Sequence, residues 1–149
     1  MSAMVLESSV EEFVARFAPY AAEGTLYPQH EGSPLLEFAA AGRVLYLFDR
    51  TGPYAVKPGN GRVIVHGVTE AMHTLNLGSE AAGVPTQQLN LLGVSAVEGV
   101  GMVEEVFRGL TVVRARLPLV LGSLSGLPTL RAGDWVSFRT TPPLHGFVV

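Results

Sequence analysis

The sequence predicts an α+β fold: a mostly antiparallel β-sheet, barrel-like or sandwich-like, with one amphipathic N-terminal helix. Three observations carry this expectation. Apolar residues near the start recur at helical spacing, the period falls to about two beyond Pro34, and Gly- and Pro-rich turns punctuate everything that follows. At 149 residues the chain fits one globular domain spanning 1–149, long enough to bury a core of its own.

The helix is expected over "SSVEEFVARFAPYAAEG". Ser8 or Ser9 suits the N-cap, Glu11 and Glu12 suit the positive end of the dipole, and Gly24 suits the stop. Val10, Phe13, Val14, Phe17 and Ala21 then form one stripe that covers an open side of the sheet. "LLEFAAAGRVLYLFDR" predicts two short strands around Ala41-Gly42, and "YAVKPGNGRVIVHGV" predicts a hairpin turning at Pro58-Gly59-Asn60-Gly61. "TEAMHTLNLG" favours a short helix ending at Gly78, and "PTQQLNLLG" fits helix or strand equally. The "GRV" at 42–44 and again at 61–63 is too common a triplet to mark a repeat.

The C-terminal third reads as strands. Two β-rich runs meet near Arg108-Gly109, and Gly99 and Gly101 leave one strand face bare for close packing. Val112, Arg114 and Arg116 are expected on one face of the second run. "GDWVSFR" alternates Trp135, Ser137 and Arg139 against Val136 and Phe138. "TTPPLHGFVV" is expected to be a proline turn followed by a strand inserting Phe147 and Val149 into the sheet, with His145 in the loop.

Composition narrows the function. Net charge is −3 and only 15% of residues are charged, which disfavours a generic nucleic-acid binder and leaves apolar surface for self-association. The charge is uneven, since from Ser95 onward five arginines face four acids. With no cysteine there is no disulfide, thiolate nucleophile or Cys-ligated zinc. No apolar run is long enough for a membrane span. "MSAMVLESSVEEF" lacks the basic-then-apolar pattern of a signal peptide, so a cytoplasmic address is expected.

Candidate chemistry is sparse. His66, Glu70 and His73 would share a face on a helix, a geometry for a metal held by two imidazoles and a carboxylate. On a strand, His73 would point away from the other two. His145 has Asp49, Asp134, Ser123 and Ser125 as sequence candidates for a triad, but no G-x-S-x-G elbow accompanies them. Neither a P-loop nor a complete dinucleotide fingerprint is present, so no cofactor is expected. Arg114, Arg116, Trp135 and Arg139, with His145, form the candidate ligand-binding set: guanidiniums beside an aromatic plate suit an anion or a stacked base. The leading expectation is a non-enzymatic binding or assembly module that presents a β surface to itself, as a homo-oligomer, or to a macromolecular partner. Two alternatives stand beside it. One is a small-ligand carrier or metal-dependent enzyme with a cavity in the barrel. The other is nucleic-acid binding through the Arg114, Arg116 and Trp135 face.

Overall fold

The computed structural model describes residues 2–52, 57–76 and 85–149, with side chains from residue 10 onward in the first stretch. Helix α1 (Ser2–Phe17) leads through a 3-10 turn (Ala18–Tyr20) into nine strands: β1 (Ala22–Leu26), β2 (Leu35–Ala40), β3 (Arg43–Asp49), β4 (Gly59–Thr74), β5 (Gln88–Leu92), β6 (Ala96–Phe107), β7 (Leu110–Arg114), β8 (Pro118–Ser123) and β9 (Trp135–Val148). The α+β class, the mostly antiparallel pairing and the barrel-like closure match the sequence reading.

Closure is double. β1, β2 and β3 form a meander; β3 runs parallel to the end of β9, β9 pairs antiparallel with β4, and β4 returns antiparallel to β1. β6, β7 and β8 form a second meander; β8 runs parallel to β4, and β9 closes antiparallel onto β6. Two five-stranded rings therefore share the β4–β9 pair, and β5 extends the sheet beside β6.

The rings are topological copies. In the first, a Cβ on Gly24 would lie 2.2 Å from the Ala39 carbonyl oxygen and 2.8 Å from the Phe38 ring; in the second, a Cβ on Gly101 would lie 2.5 Å from the Arg114 oxygen and 2.7 Å from Val113. The following hairpins turn through left-handed residues at corresponding places, Ala41 (φ 52°) and Arg116 (φ 71°). The repeat is carried by strand order and close approach rather than by residue identity, which is why the "GRV" triplets do not reveal it.

Inward-facing side chains fill both rings as one cluster: Leu36, Phe38, Leu45, Leu47, Val63 and Val65 in the first run into Val97, Val103, Val113, Leu119, Leu121 and Val136 in the second. Helix α1 lies on the outside of this wall. Phe17, with Phe13 and Val14 beside it, packs on Ile64, Val112, Val120 and Phe147. The apolar stripe is used as its spacing predicts, but it covers the outer face of the second ring and the shared pair, not an open end.

Several boundaries differ from expectation. The helix begins upstream of Ser8 and stops at Phe17, because Pro19 cannot continue it and Ala22–Leu26 is recruited as β1. Gly59-Asn60-Gly61 is not a turn; it pairs with Leu26, Thr25 and Gly24. The first half of that expected hairpin, Tyr54–Val56, lies outside the described residues. The predicted helix at 69 is instead the second half of β4, since Thr69 to Thr74 finds partners on β9; residues 77 and 78 lie outside the described residues. "PTQQLNLLG" resolves as β5, paired to β6.

The tail is one strand, not a turn and a strand. Pro142 and Pro143 sit in a bulge between the pairs Val68–Thr141 and His66–His145, where a missing N–H costs no ladder bond. Phe147 is buried beneath α1, while Val149 stays 46% exposed.

Candidate functional site

Strand β3 is apolar on both faces. Leu45 and Leu47 point into the first ring, so Val44, Tyr46 and Phe48 must point out, and they remain 37%, 37% and 39% exposed. Their neighbours across the ladder are Ala39, Glu37 and Leu35 of β2. Tyr27 joins this sheet by donating its backbone N–H to the Glu37 carbonyl at 3.0 Å, and its side chain is 42% exposed.

The β5–β6 turn is tied to β3. Ser95 is buried and its hydroxyl donates to the Tyr46 carbonyl at 2.5 Å, while accepting from the Leu144 N–H at 2.9 Å. Arg43 Nε donates to the Leu89 carbonyl at 3.1 Å. These bonds hold the turn against β3, and beside it Leu91 is exposed and Val94 is 70% exposed. Tyr27, Val44, Tyr46 and Phe48 are thus exposed on and beside β3, with Glu37 as the acid among them, while Leu91 and Val94 are exposed on β5 and its turn. The sequence signal was the uninterrupted "VLYLF", a strand with no polar face.

The sequence-derived candidates fall elsewhere. Arg114 and Trp135 are both cross-strand partners of Met102, so they share one row of the second ring's outer wall. Arg116 is not on that face: it occupies the left-handed turn after β7, with its backbone N–H donating to Gln87 Oε1 at 2.7 Å. Arg139 pairs with Glu98 at 2.9 Å and Glu70 at 3.8 Å, which holds its guanidinium even more firmly protonated.

His73, Gln88, Glu98, Ser137 and Arg139, together with Ala71, Val100 and Phe138, border a shallow recess of about 290 Å³. A register shift between Thr69 and Ala71 restores His73 to the same outer side as His66, yet the two stand far apart along the strand. Among the described residues no three His, Asp or Glu side chains converge on one point, so His66, Glu70 and His73 are not brought together.

His66 instead meets His145, its direct partner across β4 and β9, with ring centroids 5.9 Å apart. His66 donates Nδ1–H to the Val120 carbonyl at 2.8 Å, and Phe13 lies 5.3 Å from its ring. Burial pushes His66 below the usual imidazole range, only partly offset by that hydrogen bond, and the Arg50 charge lowers it further. His145 is lowered by burial, then by His66 and Arg50. Its buried Nδ1 has no hydrogen-bond partner among the described residues. Asp49 accepts from Thr51 through Oδ1, and its buried Oδ2, like His145 Nδ1, has no hydrogen-bond partner among the described residues; Ser123 is bonded to Ser125, so no hydrogen bond links either residue to His145.

No protein-family profile, characterised sequence or solved structure matches the chain. Among the described residues no helix is long and apolar enough to cross a membrane.

Proposed function

We propose that the chain is a non-enzymatic binding and assembly module that associates with itself through the outer face of β2 and β3. The observation that carries this reading is the alternation along β3: one set of apolar side chains fills the ring while the other three stand in solvent. Two of those three are aromatic, and Tyr27 adds a third ring. Exposed apolar groups of this kind, gathered on a rigid sheet and rimmed by polar residues, suit a protein interface, where aromatic anchors dominate the energy. Both rings are packed with their own side chains, which leaves recognition to the walls.

The test is light scattering across concentration. The wild type is expected to be dimeric or larger at tens of micromolar. Tyr46→Lys combined with Val94→Lys should weaken association at least tenfold, with far-ultraviolet dichroism unchanged because both side chains are already exposed. A wild type that stays monomeric at several hundred micromolar overturns the reading.

A further inference from the structure

We infer a second, independent binding site for a small phosphate-bearing ligand, in a recess of about 410 Å³ where the two hairpin tips meet the 3-10 turn. Three arginines are among its lining residues, Arg62 of β4, Arg114 of β7 and Arg116 of the β7–β8 turn, with one acid, Glu23. The chain as a whole carries −3, so this concentration of cations runs against its average.

Two of the three side chains are held in place, and the third sits on a fixed turn. Arg62 Nη2 donates to the Ala18 carbonyl at 2.7 Å, which fixes its head at the rim and leaves its other N–H groups to the recess. Arg114 is held through Nε by Glu104, with its two terminal nitrogens outside that contact. Among the described residues neither Arg62 nor Arg116 has a carboxylate within ion-pair distance.

Arg116 provides the second line of argument. It stands at φ 71°, in the left-handed region that a residue with a Cβ adopts only at a cost and glycine adopts freely. The corresponding turn of the first ring reaches the same recess through Ala41, which carries no charge. Backbone strain held under a charged side chain at the mouth of a pocket is the pattern expected where the side chain serves a ligand.

Guanidinium forks match phosphate oxygens two at a time, and the volume lies within the range of small-ligand pockets. Pro19, Ala22 and Leu117 supply a short apolar wall for the body of such a ligand. The surroundings select against a long polyanion. Glu104 and Glu105 flank the recess, and Glu105 contacts Tyr20 of the 3-10 turn, so a nucleic-acid backbone leaving the pocket would meet like charge.

Pyrophosphate at low ionic strength is the probe, with sodium chloride at matched ionic strength as the control. Thermal shift and titration calorimetry should show saturable binding to the wild type. Arg116→Gly relieves the backbone while removing the guanidinium, so the free variant should melt at or above the wild-type temperature yet bind at least tenfold more weakly. Arg62→Gln should weaken binding similarly, and Arg139→Gln, outside the recess, should not. Absence of saturable binding to the wild type, or full binding by Arg116→Gly, overturns the proposal. So does a short single-stranded oligonucleotide that binds more tightly than pyrophosphate. Association through β3 is read separately, by light scattering of the same variants.

Discussion

At the scale of single residues, the least replaceable positions are those with no side chain. Gly101 lies where β6 crosses the backbone of β7, and a Cβ there would sit 2.5 Å from a carbonyl oxygen and 2.7 Å from Val113. Neither neighbour is the loose end of a flexible side chain, so the strands themselves must separate. Gly101→Ala is therefore expected to destabilise the protein by about 2–4 kcal/mol, a mid-core overpacking effect. Chemical denaturation checks this, and a loss under about 0.5 kcal/mol would mean that the strand crossing is looser than its geometry. The sequence makes the closeness legible, since Gly99 and Gly101 two apart on a strand announce a bare face. It does not say what fills the space, because the intruder is the main chain of β7, and main chain has no residue signature.

At the scale of elements, α1 is held by a contact surface that includes a histidine pair. Phe13 lies on His66, His66 meets His145, and Arg50 stands 5.6 Å from the Phe147 ring, which Phe13 also contacts. Protonating either imidazole places a cation against apolar rings and the Arg50 charge. Both native values lie below the ordinary 6.5, so the unfolded chain binds these protons more readily than the folded one. The sign follows: their contribution is fully present above pH 6.5 and is lost as pH falls through the lowered native values.

The melting temperature is accordingly expected to drop between pH 6.5 and 5.5, above the range where most carboxylates titrate. His66→Gln combined with His145→Gln should flatten that drop, and an equally steep drop in the double variant would assign it to other groups. The helix itself was legible from its stripe of Val10, Phe13, Val14 and Phe17. Its end was not, since a five-residue strand beginning at Ala22 has too few positions to establish a period of its own. The second half of β4 was misread as helical for a related reason. Register shifts after His66 and Thr69 break the two-residue alternation, leaving spacings that imitate a helix face. The same shifts separate the metal candidates, which were chosen by spacing, whereas Arg116 leaves the row of Arg114 and Trp135 because it occupies the left-handed turn after β7. The aromatic face of β3, where no bulge intervenes, was written directly in "VLYLF".

At the scale of the molecule, the halves cannot be separated, because each ring is closed by a strand from the other half. The first meander needs β9, which enters it parallel to β3, and the second needs β4, which enters it parallel to β8. Ser95 reinforces the exchange by bonding the Tyr46 carbonyl of one ring and the Leu144 N–H of the shared pair. The core is likewise continuous across both rings, so removing either half exposes the inward faces of the other. A fragment of residues 1–76 would keep β1 to β4 but leave the edge of β3 open and β4 beyond Val63 with no partner strand. Each fragment, 1–76 and 85–149, is therefore expected to lack a cooperative thermal transition by itself. An equimolar mixture should regain the β-sheet dichroism signal and a single transition, because every missing ladder is supplied by the other piece. The intact chain should melt in one step for the same reason. A fragment of 1–76 that is monomeric by light scattering and melts cooperatively would show that one ring closes without the other, and would dissolve the argument that the exchange of β4 and β9 is what makes the two copies one fold.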